Sequence, residues 1–243
     1  MNDFAIIAAY YDELYVKPEQ YKIEAAKAMA LIETYKLSGG NELLDLACGT
    51  GGHITYWHDH YCVTGLDISP EMLSYAIRKF PDVKFHRGDM VDFTINQKFD
   101  ALVCLYGSIG FIRTLENLKK TLITFAAHMN PGGVLCLTPW STQEEFKPKI
   151  VVDAVKHPNV RIARMENVKL KAPGLIVVDF HHLIGRDGVV TYNTQSIEIG
   201  LFSRQQYIDA IAGAKLELME YYQGSDIPMG VFVARKSLQA KRS

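Results

Sequence analysis

The stretch "LLDLACGTGGH", residues 43–53, decides the fold, because a short apolar run passes directly into a cluster of glycines. Its leucines are typical of a buried strand, and its glycines are typical of a sharp turn. A helical stretch follows, with Ile54 and Trp57 on one face. A strand, a glycine turn and a helix in succession bring a ligand close to bare backbone. The sequence therefore predicts a ligand site at this turn.

The composition excludes several classes of protein. The chain has 243 residues, 48% of them hydrophobic, and a formal net charge of -1. This length suits one well-buried domain with an elaboration, and the near-neutral charge argues against a dedicated nucleic-acid binder. The N-terminus lacks the basic start of a signal peptide, and no apolar run reaches the ~18 residues that span a bilayer. We expect a cytoplasmic protein with no membrane or nucleic-acid partner.

Five apolar runs alternate with helical stretches as far as Trp140. The runs are "NELLDLA", "CVTGLDI", "VKFHRGD", "FDALVCL" and "GGVLCLTPW". The helices between them fall at about 51–60, 70–80 and 115–129, and Ser69 is a typical N-cap for the second. Such alternation predicts a parallel sheet with helices on both faces.

The pattern changes after Trp140. From about 158 onward, β-rich segments are joined by "KAPG" and "GRDG", which is the turn chemistry of antiparallel hairpins. A helix capped by Ser203 and two last strands complete the chain. We therefore predict an α/β fold with a doubly wound, seven-stranded, mostly parallel sheet and an antiparallel β insertion after strand five. The predicted parts are a single domain over 1–243, an N-terminal helical lid at 1–36 and the insertion at 141–200.

Ligands of doubly wound folds bind at the carboxyl ends of the strands, so the turns there should carry the site. Asp67 ends strand two, where an acid accepts hydrogen bonds from ribose hydroxyls. Asp89 and Met90 follow strand three and suit an exocyclic amine and an apolar ring edge. The candidate binding residues in these turns are Ala47, Cys48, Gly49, Gly51, His53, Asp67, Ile68, Met72, Gly88, Asp89, Met90, Leu105 and Tyr106.

A nicotinamide dinucleotide is the first rival for this site. Its G-x-G-x-x-G fingerprint would need a glycine where the chain has Ile54. No cluster of basic residues is adjacent to receive a pyrophosphate. An adenosine ligand without a pyrophosphate fits better, and S-adenosyl-L-methionine is such a ligand.

Four motifs in the chain resemble the ordered motif series of the class I S-adenosylmethionine-dependent methyltransferases. They are "LLDLACGTGGH", "GLDISPEML", "GDMVDF" and "MNPGGVLCL", and they cover residues 43 to 138. The resemblance implies a methyltransferase with a Rossmann-like fold and S-adenosyl-L-methionine as its cofactor.

A narrower resemblance covers nearly the whole chain. The segments "YDELY", "EQYKIEA", "FDALVCLYGSIGFI" and "LFSRQQY", the "PW" at 139–140 and the late "GVFV" are similar to the N,N-dimethyltransferases of nucleotide-linked amino sugars. The resemblance implies dimethylation of a sugar amine on a thymidine diphosphate carrier. It also implies that the insertion helps to form the substrate side and the assembly, with a homodimer as one option.

Two positions depart from the pattern of that family. Phe111 stands where some members have an imidazole, and Met229 stands where a basic residue would meet a diphosphate. We therefore expect one of two outcomes. Either a basic residue within 142–170 compensates, with Lys147 and Lys149 the nearest, or the acceptor lacks the diphosphate.

Methyl transfer to an amine mainly requires alignment of the reactants and a neutral nucleophile, so a group that accepts a proton would help. The resemblance implies that Tyr11 orients the acceptor and that Tyr21 orients the donor's carboxylate. We predict Tyr11 and Ser108 as catalytic residues and Tyr21 as a cofactor-binding residue. His58 and His60 have the spacing of metal ligands, but the sequence offers no third ligand nearby. We therefore predict no metal site.

Other functions stay open at this point. An O- or carboxyl-methyltransferase acting on another small metabolite is the main alternative to N-methylation. A nucleic-acid methyltransferase is disfavoured, because the chain has "LYGSIGF" rather than a "DPPY"-like run, and the insertion lacks a basic stripe interleaved with aromatics. A non-catalytic binding module would plug the acceptor mouth, and nothing in 106–112 does so.

Overall fold

The structure is a computed structural model that describes residues 8–238. Within them lie the strands β1 (Glu42–Leu46), β2 (Cys62–Asp67), β3 (Lys84–Arg87), β4 (Phe99–Cys104), β5 (Met129–Leu137), β6 (Lys149–His157), β7 (Val160–Ala172), β8 (Leu175–Arg186), β9 (Val189–Gly200), β10 (Leu216–Gly224) and β11 (Ile227–Lys236). The α-helices are α1 (Tyr11–Tyr15), α2 (Pro18–Tyr35), α3 (Ile54–Trp57), α4 (Pro70–Lys79), α5 (Leu115–His128) and α6 (Arg204–Gly213). Across the same residues, no helix is both long enough and apolar enough to cross a membrane.

The larger sheet has seven strands in the order β10-β11-β5-β4-β1-β2-β3. Its first five strands in the chain, β1 to β5, are parallel, whereas β11 is antiparallel to both β5 and β10. From β1 the chain adds β2 and β3 on one side of the sheet, and it then returns to add β4 on the other side of β1. The turns after these strands therefore lie at a topological switch point, where such folds bind ligands. The predicted doubly wound, mostly parallel sheet is confirmed.

Helices bury both faces of the larger sheet. Leu118 and Phe125 of α5 and Tyr207 of α6 pack on one face. Ile32 of α2 and Trp57 of α3 pack on the other. Parallel strands that are buried on both faces read as continuous apolar runs, which is why the central strands were evident from the sequence.

Capping side chains fix where several helices begin. Ser69 Oγ accepts a hydrogen bond from the backbone N–H of Met72 at 3.2 Å, as the sequence predicts. Ser203 and Gln206 form a reciprocal capping box at the start of α6. Both predicted N-caps are confirmed.

The helix after the glycine turn is shorter than predicted. Only Ile54–Trp57 is α-helical, whereas the sequence suggested about 51–60. Gly51 has a φ of +81°, which lies outside the right-handed helical region. The helix therefore begins only after the turn has closed.

The insertion after β5 is a second, antiparallel sheet in the order β6-β7-β8-β9. Its last hairpin turns at Asp187 and Gly188, whose φ values of +51° and +76° fit a type I′ turn. The insertion is confirmed, but β6 is an additional strand that the sequence analysis missed. Consecutive apolar residues at 150–152 hide the alternation that marks a half-buried strand.

The insertion sheet has two unlike faces. Its inner face carries Ile162 and Ile184, which pack against Leu14 of α1. Its outer face carries exposed apolar side chains that the strand register places on one side of the sheet. We call this set the outer apolar face: Ile150, Val152, Met165, Leu183, Val190 and Tyr192.

Candidate active site

The glycine turn after β1 adopts backbone conformations that suit few residues. Ala47 and Gly49 have φ values of +56° and +55°, a region that glycine enters without a steric penalty. A Cβ added at Gly49 would meet no atom within 4 Å, because this residue faces a cavity. A Cβ added at Gly52 would lie 2.7 Å from Cε1 of Tyr21. The turn thus presents bare backbone to the cavity on one side and is backed by α2 on the other.

Asp67 joins two of the turns. Its Oδ2 accepts a hydrogen bond from the backbone N–H of Gly49 at 2.8 Å, and its Oδ1 accepts one from Ser69 at 2.8 Å. Burial raises the pKa of Asp67, while these backbone hydrogen bonds lower it. Each carboxylate oxygen has a second lone pair, and Asp67 lines the cavity. It can therefore also accept hydrogen bonds from a ligand.

A cavity of about 640 Å³ extends along the carboxyl ends of β1 to β4. Its walls are apolar at Ile68, Met72 and Met90 and acidic at Asp67 and Asp89, a combination that suits a purine ring and a ribose. The predicted residues that line this cavity are Tyr11, Ala47, Gly49, Asp67, Ile68, Met72, Gly88, Asp89, Met90 and Ser108.

A smaller cavity of about 30 Å³ shares several walls with the first. The predicted residues that line only this smaller cavity are Tyr21, Cys48, His53, Leu105 and Tyr106. Asp45 also lines it, and burial, together with the charge of Asp67, raises the pKa of Asp45 well above its usual range. A cationic group in this space would favour the ionised form of that acid.

Gly51 has a different place from the other predicted binding residues, because it lines neither cavity. A Cβ at this position would lie 2.9 Å from Cε2 of Phe80, the residue that follows α4. Gly51 therefore packs against a neighbouring ring and shapes the turn, and its contact with a ligand stays a prediction.

Stacked aromatic rings back the smaller cavity. The ring centroids of Tyr21 and His53 are 4.3 Å apart, and those of His53 and Trp57 are 5.3 Å apart. His53 Nε2 lies 3.3 Å from Oε2 of Glu24, whose other oxygen accepts a hydrogen bond from Gln20 at 2.8 Å. Burial raises the pKa of Tyr21 well above its usual value, so its hydroxyl keeps its proton. Tyr21 is thus held rigidly, with a hydroxyl that can donate a hydrogen bond.

Helix α1 is attached to the donor side of the site through Asp12. The hydroxyl of Thr50, in the glycine turn, donates a hydrogen bond to Asp12 Oδ1 at 2.5 Å. Asp12 Oδ2 pairs with Lys79 of α4, whose Nζ also donates to the backbone oxygen of Thr50 at 3.1 Å. These contacts hold α1 over the turn that borders both cavities.

On its other side, α1 meets a partly buried polar cluster on the inner face of the insertion sheet. The hydroxyl of Tyr15 donates to Oε1 of Glu166 at 3.3 Å and lies 3.5 Å from Nε2 of His182. Nη1 of Arg164 lies 3.1 Å from the same Oε1 atom. His182 is buried, whereas His181, its neighbour on the opposite face of β8, is less buried.

Sequence reasoning missed this cluster. The one local signal was the helical spacing of Tyr15, one turn beyond Tyr11. Lys147 and Lys149, the nearest basic residues for one of the two expected outcomes, are exposed, whereas Arg164, also within 142–170, is buried. Arg87, Arg113 and Asn117 are among the residues on the wall of the larger cavity that were also missed.

The cavities and the fold together define the class of protein. Bare backbone at Gly49, a hydrogen-bond acceptor at Asp67 and apolar walls fit the adenosine of S-adenosyl-L-methionine. A doubly wound sheet with this site is the arrangement of a class I S-adenosylmethionine-dependent methyltransferase.

Comparisons with known proteins agree with this class. The family described as a methyltransferase domain matches residues 43–133. The dTDP-3-amino-3,6-dideoxy-alpha-D-glucopyranose N,N-dimethyltransferase of Streptomyces fradiae is 34% identical over 93% of this chain and 89% of its own length. The crystal structure of Streptomyces venezuelae DesVI has a TM-score of 0.88 and 30% identity, over 95% of this chain and 98% of that one. The structure of CalS10 with bound S-adenosylmethionine, an amino pentose methyltransferase from Micromonospora echinaspora, has a TM-score of 0.81 and 28% identity over 96% of each chain.

The chain belongs to the same family as the dTDP-amino-sugar N,N-dimethyltransferases. It is an S-adenosylmethionine-dependent methyltransferase. The predicted family, enzyme class and cofactor are confirmed.

Proposed function

We propose that the protein transfers methyl groups from S-adenosyl-L-methionine to the amine of a nucleotide-linked amino sugar. The observation that carries this proposal is the extent of the similarity to the Streptomyces fradiae enzyme, which takes in 93% of the chain. The donor-binding motifs account for only part of that length, so the similarity also includes the acceptor side. N-methylation is therefore favoured over methylation of a hydroxyl or a carboxyl group.

Residues at the switch point would hold the donor. The cofactor, when bound, supplies an activated methyl group on a sulfonium. Gly49 would admit it close to the backbone, Asp67 would accept hydrogen bonds from its ribose, and Met90 would contact its adenine. Tyr21, stacked on His53, is placed to donate a hydrogen bond to its carboxylate. The rigid turn and the stacked rings serve alignment, which is the main contribution a protein makes to this reaction.

The acceptor mouth is built by the turn after β4. Tyr106 and Gly107 have φ values of +57° and +73°, and this reversal brings Ser108 to the wall that the two cavities share. A Cβ at Gly107 would lie 2.6 Å from Cα of Trp140, so the turn requires glycine. Tyr11 lines the same shared wall, and burial raises the pKa of its hydroxyl well above its usual value. We assign Tyr11 and Ser108 the task of orienting the acceptor amine.

A mass-spectrometric assay tests the proposal. The enzyme and methyl donor are incubated with the dTDP-amino sugar that the Streptomyces fradiae enzyme takes, with dTDP-glucose and with the free amino sugar. We expect mass gains of one or two methyl groups on the dTDP-amino sugar alone. A Gly49→Val variant serves as the control, because its side chain would occupy the donor cavity and should abolish the gain. Methylation confined to the free amino sugar or to dTDP-glucose would overturn the proposal.

A further inference from the structure

The smaller cavity has room for little more than one small group. Its volume is about 30 Å³, and a single water needs about 10–15 Å³ of such space. The cavity shares Tyr11, Ala47, Gly49 and Ser108 with the larger one. A methyl group on sulfur fits this size, whereas an amino-acid chain does not.

The position of the donor's ribose brings its charged sulfur to the same place. Asp67, which would accept hydrogen bonds from the ribose, is bonded at 2.8 Å to the backbone N–H of Gly49 on the shared wall. S-adenosyl-L-methionine carries its sulfonium directly on the 5′ carbon of that ribose. The sulfonium would therefore reach the wall that the two cavities share.

Three tyrosines line the smaller cavity, namely Tyr11, Tyr21 and Tyr106. The ring centroids of Tyr21 and Tyr106 are 5.4 Å apart, with the ring planes tilted by 39°. A side-chain hydrogen bond joins Tyr21 to Tyr11. Burial raises the pKa of all three hydroxyls, so the rings stay neutral phenols. Neutral aromatic rings attract a cation through the negative face of their π-systems.

Tyr106 reaches this cavity with a strained backbone. Its φ is +57°, a value that is rare for a bulky side chain. The backbone N–H of Gly107, the next residue, donates a hydrogen bond to Thr138 Oγ1 at 3.1 Å, which helps to fix the turn. Strained residues of this kind cluster at active sites, where the surrounding structure holds them. The turn after β4 therefore keeps the Tyr106 ring at the cavity.

We propose that Tyr106, together with Tyr11 and Tyr21, forms an aromatic site that binds the sulfonium of S-adenosyl-L-methionine by cation–π attraction. Methyl transfer removes the charge from sulfur, because the electron pair of the sulfur–methyl bond stays on it. The aromatic site therefore prefers the charged donor to the spent donor, S-adenosylhomocysteine, whose thioether is neutral. This preference concerns the donor alone and does not depend on the identity of the acceptor.

Asp45 is the rival for this role, because it is the one acid among the described residues that line the smaller cavity. Burial and the charge of Asp67 raise the pKa of Asp45 well above its usual range, so its neutral form is favoured before the donor binds. A neutral acid does not balance a positive charge, whereas the rings attract the cation in either protonation state of Asp45. Asp45→Asn tests the rival directly.

A ratio of two affinities tests the aromatic site. Isothermal titration calorimetry gives the Kd of S-adenosyl-L-methionine and of S-adenosylhomocysteine, and their ratio cancels the contacts that the two molecules share. Tyr106→Leu removes the ring and should lower the preference for the charged donor about fivefold to tenfold, the scale of a partly desolvated cation–π contact. Tyr106→Phe keeps the ring and should keep the wild-type preference. Asp45→Asn should keep it as well.

Fluorinated phenylalanines at position 106 separate electrostatics from shape. Each added fluorine weakens the negative face of the ring with little change in its size, so the preference for the charged donor should fall stepwise. A packing role gives no such trend. Where Tyr106→Leu fails to fold by circular dichroism, this series takes its place.

Three outcomes overturn the aromatic site. They are an unchanged preference, an equal loss of both affinities, and a loss of preference in Asp45→Asn alone. The titrations contain no acceptor, so their result is independent of the methylation assay. Wild-type enzyme that leaves every dTDP-amino sugar unmethylated overturns the proposed function and leaves the aromatic site standing.

Discussion

At the scale of the single residue, Asp67 serves the fold and the ligand with the same two oxygens. It accepts backbone hydrogen bonds from two turns, and its remaining lone pairs face the donor cavity. We predict that Asp67→Ala weakens binding of S-adenosyl-L-methionine by about 1–3 kcal/mol, the usual scale for hydrogen bonds to a charged group. Isothermal titration calorimetry measures the change.

A neighbouring acid provides the control for this prediction. Asp92 is exposed and pairs with Lys120 at 2.7 Å, outside the walls of both cavities. Asp92→Ala should therefore bind the donor as the wild type does. Unchanged affinity in a folded Asp67→Ala variant would contradict the assignment of this carboxylate to the ribose.

At the scale of the element, α1 depends on contacts at both of its ends. A helix of 5 residues is too short to be stable alone, so Asp12 and Tyr15 decide whether it stays over the site. We predict that Asp12→Ala increases the dissociation constant of the donor about fivefold to tenfold, because it removes a partly exposed ion pair and a hydrogen bond worth about 1 kcal/mol. Stopped-flow fluorescence should show the change as faster donor release.

Glu13, the next residue of α1, is the matched control for Asp12. Glu13→Ala removes the same charge from the same helix but leaves the contacts with Thr50 and Lys79 in place. Equal release rates for the two variants would contradict a closing role for α1. The lid predicted at 1–36 also included residues 1–7, which lie outside the described residues.

The limits of prediction from sequence also appear at this scale. The turn at residues 47–52 and the cap at Ser69 were predictable because each depends on a few adjacent residues. The meeting of Tyr15 with Glu166 was not, because these residues are 151 positions apart and meet only through the register of β7 and the placement of α1. The contact of Gly51 with Phe80 could not be predicted for a related reason. Phe80 follows α4, and the glycine motif after β1 does not by itself indicate that contact.

At the scale of the whole molecule, the outer apolar face lacks cover from residues 8–238. Val152 and Val190 are each 69% exposed, in one sheet with four further apolar side chains. A contiguous patch of this kind marks an interaction surface. We propose that a second copy of the chain covers it, in keeping with the assembly that the family resemblance implies.

Sedimentation velocity tests this assembly. Val152→Glu combined with Leu183→Glu should convert a dimer to a monomer, because each buried side chain of this size contributes about 1.5–3 kcal/mol. Ile123→Glu is the control, since Ile123 is 56% exposed but lies on α5, away from the insertion sheet. A wild-type protein that sediments as a monomer at every concentration would contradict the proposal.

Helix α1 contacts the glycine turn and the insertion sheet at the same time, so donor exchange and release of the sugar are linked. Two methylations of one amine need two donor molecules, so the spent donor must be exchanged between them. We expect exchange to require that α1 moves away from Thr50, and the same movement would take Tyr11 from the wall that the two cavities share. The singly methylated sugar would then lose its contact with Tyr11 at the moment when the spent donor departs. We therefore expect the two methylations to be separate encounters, distributive rather than processive.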